Sequence, residues 1–283
     1  MGKHGEVKKG KLHLLIVPLL LCGVCILFYP HFSDWMARRD HQAVLETYQA
    51  AVEQVPAEIA EQAMNSAQEY NRGLSGGTLT DPFSSGIFTD AEYETLLNFG
   101  GVMARIRIPE IAVDLPVYHG TAETVLQRGA GHLFGSSLPV GGPGTHAVLT
   151  AHSALPNAVL FTDLEKLGVG DRFYIDVLNE TLVYEVDKIT VIEPNDTKEL
   201  QITQGEDHIT LVTCTPYGIN SHRLLVRGRR LEIPSETAKQ EIETQTSEPE
   251  VSLIFVAAVA AAILLVVVLS AILFKQRRKK EQL

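Results

Sequence analysis

The chain has 283 residues with a formal net charge of −10, and two nearly uncharged apolar segments flank its middle part. The tails beyond those segments hold 9 of the 24 Lys and Arg but only 2 of the 34 Asp and Glu, so the rest carries 15 basic and 32 acidic residues. This balance excludes nucleic acid as a partner, because phosphate binding needs clustered positive charge.

The first predicted element is an apolar helix over 12–29, LHLLIVPLLLCGVCILFY. At about 1.5 Å per residue it reaches roughly 27 Å, the lower limit for a membrane span. The lysine-rich tail 1–11 before it is predicted to be cytoplasmic. A cleaved signal peptide is the alternative, but no small-x-small site follows, so an uncleaved anchor is favoured. Cys22 and Cys25 are interpreted as small apolar residues of the span.

Residues 30–72 predict a helical stalk, since apolar side chains recur three and four residues apart. Pro56 interrupts the pattern and is tolerated in a first helical turn, so two helices are expected, about 34–54 and 56–71. Such a stalk can pack on the following domain or lift it off the membrane.

Residues 73–100 are interpreted as a long loop followed by a short helix. The glycine- and serine-rich connection GLSGGTLTDPFSSG is long enough to suggest a function. It contains Asp81-Pro82-Phe83, which taken alone favours a turn. TDAEYETLLNF, at 89–99, opens with a capping box and predicts a short helix.

From 101 to 234 the pattern changes to strands. Short runs rich in Val, Ile, Leu, Thr and Tyr, such as RFYIDVL and HITLVTC, are separated by Gly, Pro, Asn and Asp. Seven or eight strands in about 130 residues, with few helices, predict a mainly β, closed or nearly closed antiparallel barrel. A hairpin turn is predicted at Asn179-Glu180, and one or two helical turns at 161–167.

The C-terminal part is predicted to return to the membrane. Residues 235–250 are acidic and polar and predict a disordered linker. The uncharged segment 251–274 reaches roughly 36 Å as a helix and predicts a second span. The basic tail 275–283 is predicted to be cytoplasmic, which places both termini inside and the middle of the chain outside the cell.

Cys214 is the only cysteine outside the two apolar spans, so the exported part has no internal disulfide. A lone thiol in an oxidising compartment is vulnerable, which favours a chemical role. It ends a strand-like run, and a cysteine nucleophile needs a proton shuttle, usually histidine. Arg223 lies across the turn PYGINS, so a hairpin would bring its guanidinium to the thiol, where it can hold an oxyanion.

Eight histidines between the two spans are candidates for the shuttle. His152 is the best placed because it ends the apolar run AVLTAH and opens a loop, although spacing alone does not single it out. The other seven are His31, His41, His119, His132, His146, His208 and His222.

Three stretches of the chain carry a family resemblance. TLVTCTPYGINSHRLLVRG resembles the cysteine signature of sortases, the cysteine transpeptidases of Gram-positive cell surfaces, and LTAHSALPNAVLFTDLEKLGVGD resembles their histidine region. GAGHLFGSSLPVGGPGTHAVLTAH resembles the segment before it, and DPF with the C-terminal span resembles class C, the pilin-polymerising sortases. The resemblance covers about 74–233. Phe134 and Ser153 depart from the family pattern.

The resemblance implies an eight-stranded sortase barrel and a role for each matching residue. Cys214 would attack the Thr–Gly bond of an LPxTG-like sorting signal, His152 would act as general acid and base, and Arg223 would stabilise the oxyanion or position the substrate. A lysine amine on another pilin subunit would resolve the acyl-enzyme. Asp81, Pro82 and Phe83 would form a lid, with the carboxylate facing the arginine and the aromatic ring over the thiol.

Other readings remain open. A papain-like hydrolase would place its cysteine before its histidine, near a helix start, which this chain does not. A housekeeping-type sortase that attaches proteins to cell-wall peptide, or a non-catalytic two-span binding module, also fits the layout. No His, Cys and Asp spacing converges on a metal ligand set, so no metal or cofactor is expected.

Overall fold

The structure, a computed structural model, describes residues 12–74, 79–84, 90–155 and 158–245. The chain divides into two units, one formed by Met1–Ser33 with Glu248–Leu283 and the other by Asp34–Ser247. The described residues of the first unit belong to a single helix. The second unit holds the β-barrel and the site described below.

Four α-helices are present in the described ranges: α1 (Leu12–Glu53), α2 (Ala57–Gly73), α3 (Glu123–Leu126) and α4 (Ser235–Gln245). The break between α1 and α2 falls at Pro56, as predicted. α1 is longer than predicted, because the apolar segment 12–29 and the first stalk helix form one continuous helix.

The short helix predicted over 89–99 is reduced to one helical turn, Tyr93–Thr95. The Asp90 carboxylate accepts a hydrogen bond from the Tyr93 backbone N–H at 2.7 Å, at the start of this turn. Thr89, the expected cap, lies outside the described residues. Three further single turns are found at Pro109–Ile111, Thr162–Lys166 and Lys198–Leu200.

Eight strands form a closed barrel in the order β1-β2-β3-β4-β7-β8-β6-β5. Their bounds are β1 (Ala104–Ile108), β2 (Val113–His119), β3 (Ala130–His132), β4 (Thr145–Thr150), β5 (Arg172–Val177), β6 (Glu180–Ile192), β7 (Asp207–Thr215) and β8 (His222–Leu231). The β5–β6 hairpin turns at Leu178 and Asn179, one residue before the predicted position.

The barrel is mixed rather than antiparallel, which corrects the prediction. β2 pairs with β3 in parallel, and β4 pairs with β7 in parallel, while the other six pairings are antiparallel. Parallel neighbours need crossover connections, and here these are the segment holding α3 and the long excursion through β5 and β6. Local alternation of apolar residues does not reveal which strands become neighbours.

The barrel interior is filled by apolar side chains from every sheet segment, including Ile106, Leu149, Leu211 and Val226, all at or near zero exposure. Gly228 leaves room for this packing, since a Cβ there would overlap the ring of Phe173. A closed core of this kind holds the strand ends in fixed positions.

The N-terminal helices pack on the barrel. Tyr48 of α1 is buried with Val52, and its hydroxyl accepts a hydrogen bond from the Leu178 N–H at 3.3 Å. Asn71 at the end of α2 exchanges two hydrogen bonds with the backbone of Leu138, at 3.1 and 2.7 Å. Of the two arrangements considered for the stalk, packing on the domain is therefore the one observed.

The prediction of a disordered linker over 235–250 is wrong for its first eleven residues, which form α4. Ala238 and Ile242 are buried against Tyr174 and Val183 on the outside of the barrel. Glu241 adds an ion pair with Arg172 at 3.1 Å. The prediction relied on the acidic composition of the segment and overlooked Ala238 and Ile242. These apolar residues are four positions apart and therefore lie on one face of a helix, which packs on the barrel.

No helix among the described residues is apolar over a sufficient length to cross a bilayer. The first predicted span, 12–29, belongs to α1, and the second, 251–274, lies outside the described residues. The structure thus does not support the two predicted spans.

Candidate active site

Cys214 and Arg223 lie directly opposite each other on neighbouring strands. The antiparallel register of β7 and β8 pairs Cys214 with Arg223 and Thr215 with His222. Directly opposed residues in such a pair project from the same face of the sheet with Cβ atoms about 4.5–5.5 Å apart. The predicted hairpin is confirmed, and it brings the thiol and the guanidinium together.

His152 is brought to the same end of the barrel by the parallel pairing of β4 with β7. The register aligns Thr150 with Val212, and parallel strands advance together, so a residue two further along β4 reaches the level of Cys214. The contacts continue past the end of β4. The Thr213 hydroxyl donates to the Ala151 carbonyl at 2.8 Å, and the Ser153 hydroxyl donates to the Cys214 carbonyl at 2.7 Å.

The Asp81 carboxylate forms an ion pair with the guanidinium of Arg223. Nε and Nη2 of Arg223 donate to the two carboxylate oxygens at 2.8 and 2.7 Å, a bidentate pair. Nη1 donates to the backbone carbonyls of Asn220 and His222, both at 3.1 Å. The side chains of Arg223 and Asp81 are only 10% and 8% exposed, so this ion pair is buried.

The ring of Phe83 lies between His152 and Arg223. Its centroid is 5.5 Å from that of the imidazole, and the guanidinium carbon lies 4.9 Å from the ring centre. Pro82 is buried, and the Ser84 N–H donates to the Asp81 carbonyl at 2.9 Å, which closes a tight turn. The tripeptide therefore contacts Arg223 through Asp81 and through Phe83, and the ring of Phe83 lies against the imidazole, whereas the prediction had placed it over the thiol.

The residue two positions before Asp81 also contacts the barrel. Leu79 is buried in a small apolar cluster on the outer face of the sheet, with Val212 and Leu225 among its neighbours. The Leu79 carbonyl accepts a hydrogen bond from the Thr197 hydroxyl at 3.1 Å. Alternate residues of one short segment therefore engage an apolar cluster, the guanidinium and the imidazole.

The electrostatics of the site favour a protonated thiol in this arrangement. Burial raises the pKa of Cys214, Arg223 opposes this, and Asp81 raises it further. Burial lowers the pKa of Arg223, but the hydrogen bonds to Asp81 and the negative charges of the Cys214 thiolate and of Asp81 raise it overall. Because Asp81 neutralises Arg223, the cation cannot stabilise a thiolate fully while the pair is intact.

The carboxylate of Glu123, which the sequence analysis did not single out, contacts His152. Its Oε2 lies 3.1 Å from Nε2 of the imidazole. Glu123 begins α3, far from Cys214 in the chain and outside any recognisable motif. No local pattern marks such a residue, because only the folded barrel brings α3 against the loop after β4.

The remaining described histidine side chains serve other parts of the fold. His132 is buried between the Tyr93 hydroxyl, 2.8 Å from Nδ1, and the Ser137 carbonyl, 2.7 Å from Nε2. His146 bonds the Thr210 hydroxyl and the Gln201 carbonyl at 2.7 and 2.9 Å. His119, His208, His41 and His222 likewise have partners away from the thiol: Leu96, Asp187, Arg128 and Ser221 respectively.

In the described ranges, no group of three or more His, Cys, Asp or Glu side chains is arranged to hold a metal ion. The site itself offers a thiol, an imidazole and a guanidinium at one end of a rigid barrel. That set can form and resolve a covalent thioester, so fold and site define a thiol-dependent acyl-transfer class of protein.

Comparison with known proteins gives the family. The Sortase domain family model matches residues 106–231. Sortase C-1 from Actinomyces oris is 47% identical, and the match covers 62% of this chain and 99% of that one with a TM-score of 0.61. Sortase C1 from Streptococcus agalactiae is 47% identical over 70% of this chain and 98% of that one, with a TM-score of 0.65. The chain therefore belongs to the sortase family of cysteine transpeptidases.

Curated relatives are more distant. Sortase A of Bacillus anthracis is 34% identical over 45% of this chain, and the match spans 59% of the length of that relative. Sortase A of Streptococcus agalactiae is 25% identical over 73% of this chain and 83% of that relative. The similarity to the two sortase C structures extends over 62% and 70% of the chain, which is more than the 45% matched by the Bacillus enzyme.

Proposed function

We propose that this chain is a pilin-polymerising sortase, a membrane-anchored cysteine transpeptidase that joins an LPxTG-like sorting signal to a lysine amine of another pilin subunit. The observation that carries the proposal is the cross-strand pair Cys214 and Arg223 with His152 level beside them, closed over by the Asp81–Phe83 segment. The similarity to sortase C-1 of Actinomyces oris and to sortase C1 of Streptococcus agalactiae supports the same class.

In the first half of the reaction the Cys214 thiolate attacks the Thr carbonyl of the sorting signal. The developing oxyanion lies near Arg223, whose fixed donors and permanent charge suit that role. The imidazolium of His152 gives its proton to the departing glycine amine, and a thioester forms as the Thr–Gly bond breaks. The products are the acyl-enzyme, a neutral imidazole and a free amine.

In the second half the neutral lysine amine attacks the thioester. His152 takes the proton that the amine loses, and the Cys214 thiolate leaves. An isopeptide bond forms, and the thiolate–imidazolium pair is restored without any external oxidant or reductant. Repetition on successive subunits produces a covalent polymer.

The Asp81-Pro82-Phe83 lid holds the enzyme in a resting state in this proposal. Asp81 neutralises the arginine that the oxyanion needs, and Phe83 covers the imidazole. A closed site limits oxidation of the thiol and futile hydrolysis of the thioester. Substrate must displace the lid before attack can begin.

The catalytic unit is proposed to lie outside the cell, with both termini in the cytoplasm and spans at 12–29 and 251–274. The supporting observations are the basic tails, the apolar composition of both segments and the family to which the chain belongs. Such anchoring would keep the enzyme beside membrane-bound pilin subunits.

Co-expression of the full chain with LPxTG-bearing pilins tests the function. A covalent ladder that resists boiling in detergent is expected with the wild-type chain and is expected to vanish with Cys214→Ala. Cys22→Ala, which removes an exposed thiol elsewhere in the chain, is the matched control and should retain the ladder.

The alternatives give different products in the same experiment. A housekeeping-type sortase would yield single pilins attached to cell-wall peptide and no ladder. A non-catalytic binding module would yield neither product, with no difference between wild type and Cys214→Ala.

A further inference from the structure

The imidazole of His152 contacts a carboxylate as well as the ring of Phe83. Nε2 lies 3.1 Å from Glu123 Oε2, and the His152 side chain is 18% exposed whereas that of Glu123 is 63% exposed. A carboxylate oxygen only accepts, so the neutral imidazole must carry its hydrogen on Nε2 in this contact. Nδ1 then bears the free lone pair.

Glu123 is itself braced. Its other oxygen, Oε1, accepts a hydrogen bond from the Gln127 amide at 2.8 Å, one turn further along the chain. Two separate donors thus hold the two oxygens of one carboxylate. An exposed glutamate with only one partner would sample several rotamers, but bonds to both oxygens restrict it.

The backbone that carries Glu123 is anchored to the strand that precedes the histidine strand. Leu126 of α3 is 1% exposed and lies under β3, where a Cβ on Gly131 would come within 3.0 Å of it. β3 in turn pairs with β4, which ends two residues before His152. α3, β3 and β4 therefore form a direct structural link between the carboxylate and the imidazole.

We infer that Glu123 is a positioning residue for His152, which fixes the ring through Nε2 and leaves Nδ1 as the nitrogen that exchanges protons with the two amines. This inference rests on the proposed function. In the first half-reaction Nδ1–H gives its proton to the leaving amine, and in the second Nδ1 receives one from the lysine amine. The Nε2–H group remains hydrogen-bonded to Glu123 in both half-reactions, so the carboxylate neither gains nor loses a proton.

The arrangement has a physical advantage for transpeptidation. The same imidazole must act first as an acid and then as a base through Nδ1, so its ring must not flip between the two steps. The hydrogen bond from Nε2 to Glu123 prevents such a flip. The other groups around this cleft are Cys214, Arg223 and Asp81, with Glu165 beside the small cavity at the thiol. Of the acidic side chains in the described part of the chain, Glu123 is the one that forms an ion-pair contact with His152.

The first test reads the tautomer directly in the resting full-length enzyme. ¹⁵N NMR of the histidine ring is expected to show a protonated Nε2 and an unprotonated Nδ1 for neutral His152. Glu123→Ala should produce a mixture of tautomers, while Glu123→Gln, whose amide oxygen still accepts, should retain the Nε2–H form. Glu110→Ala, a change at an exposed glutamate of the Pro109–Ile111 turn, is the control and should leave the signals unchanged.

The second test measures turnover of an LPxTG peptide with a lysine amine as acceptor. Glu123→Ala is expected to lower kcat about three- to tenfold, with KM for the peptide unchanged. The smaller value corresponds to the loss of an exposed ion pair, and the larger value to a catalytic ring that is also poorly oriented. Glu123→Gln should recover most of the loss. Gln127→Ala should give a smaller decrease, because it removes only the brace.

Unchanged His152 ring signals in Glu123→Ala would overturn the inference, and so would altered signals combined with a kcat equal to that of the wild type. The proposed function fails in a different way. If wild type and His152→Ala are equally inactive, the transpeptidase proposal is wrong, while the tautomer measurement still decides whether Glu123 holds the ring.

Discussion

At the residue scale the closed site rests on one buried ion pair. Arg223 directs three of its nitrogens to Asp81 and to nearby carbonyls, so little of the guanidinium is left for a substrate. Removing one partner of a buried pair leaves an uncompensated charge, which is costly. Opening is therefore favourable only when a new acceptor replaces the Asp81 carboxylate, and a carbonyl oxygen of the bound substrate is such an acceptor before attack begins.

Asp81→Asn is predicted to make Cys214 more reactive. The charge of Asp81 raises the pKa of the Cys214 thiol, and its ion pair neutralises Arg223, which lowers that pKa. Replacing the carboxylate with the neutral amide of asparagine should therefore lower the pKa of Cys214. Each unit of decrease gives about tenfold more thiolate at a pH below that pKa. The measurement is the rate of alkylation by iodoacetamide as a function of pH.

The exposed Asp40 of α1 provides the matched control for this experiment, and Asp40→Asn should leave the profile where it is in the wild type. An Asp81→Asn enzyme with the wild-type midpoint and rate would contradict the view that the carboxylate restrains the thiol.

At the scale of elements, α4 extends the catalytic unit beyond the last strand. Ala238 and Ile242 are buried on the barrel, and Ser235 Oγ accepts a hydrogen bond from the Thr181 N–H at 3.1 Å. The helix fixes where the chain leaves the barrel, eleven residues after Pro234.

Ile242→Ala is predicted to destabilise the protein by about 2–4 kcal/mol, the usual cost of truncating a buried isoleucine, with the lower end expected at a docked helix. Ile242 is 3% exposed, whereas Gln240 on the same helix is exposed and Gln240→Ala should change stability by less than about 0.5 kcal/mol. Urea denaturation followed by circular dichroism compares the two. Equal midpoints for the two variants would show that α4 does not contribute to stability.

At the scale of the whole molecule, two buried neutral histidines make folding depend on pH. Burial lowers the pKa of His132 and of His146 from 6.5 to about 4. In His132 the Ser137 carbonyl can only accept, so Nε2 carries the hydrogen and Nδ1 accepts from Tyr93. Charging either ring would break such a network inside the fold.

The free energy of unfolding is predicted to fall as the pH decreases from about 6.5 to about 4. The unfolded chain binds these protons first, so each histidine removes up to about 3 kcal/mol across that window, and the loss ends below the folded pKa. His132→Gln should flatten the dependence relative to wild type, while His222→Gln, a change at an exposed histidine, should not. The measurement is urea denaturation at a series of pH values, and parallel curves for wild type and His132→Gln would contradict the assignment.

Local patterns were sufficient for the features that lie within one stretch of chain. The alternation around Cys214 and the turn PYGINS predicted the hairpin with Arg223, and Pro56 predicted the helix break. The Asp81 lid came from a family resemblance, and its ion pair with Arg223 is present in the structure. These features depend on residues close in sequence or on a motif that is itself contiguous.

What the sequence by itself determined about this protein is therefore its strands, the hairpin that pairs Cys214 with Arg223, and its family. Only the tertiary structure decided the two parallel pairings, the docking of α4 and the contact of Glu123 with His152. The physical reason is that apolar periodicity shows which face of a helix or strand is buried, but not which other element covers that face. Neighbours across a closed barrel are selected by packing and hydrogen-bond satisfaction over the whole sheet, and no single stretch of sequence contains that information.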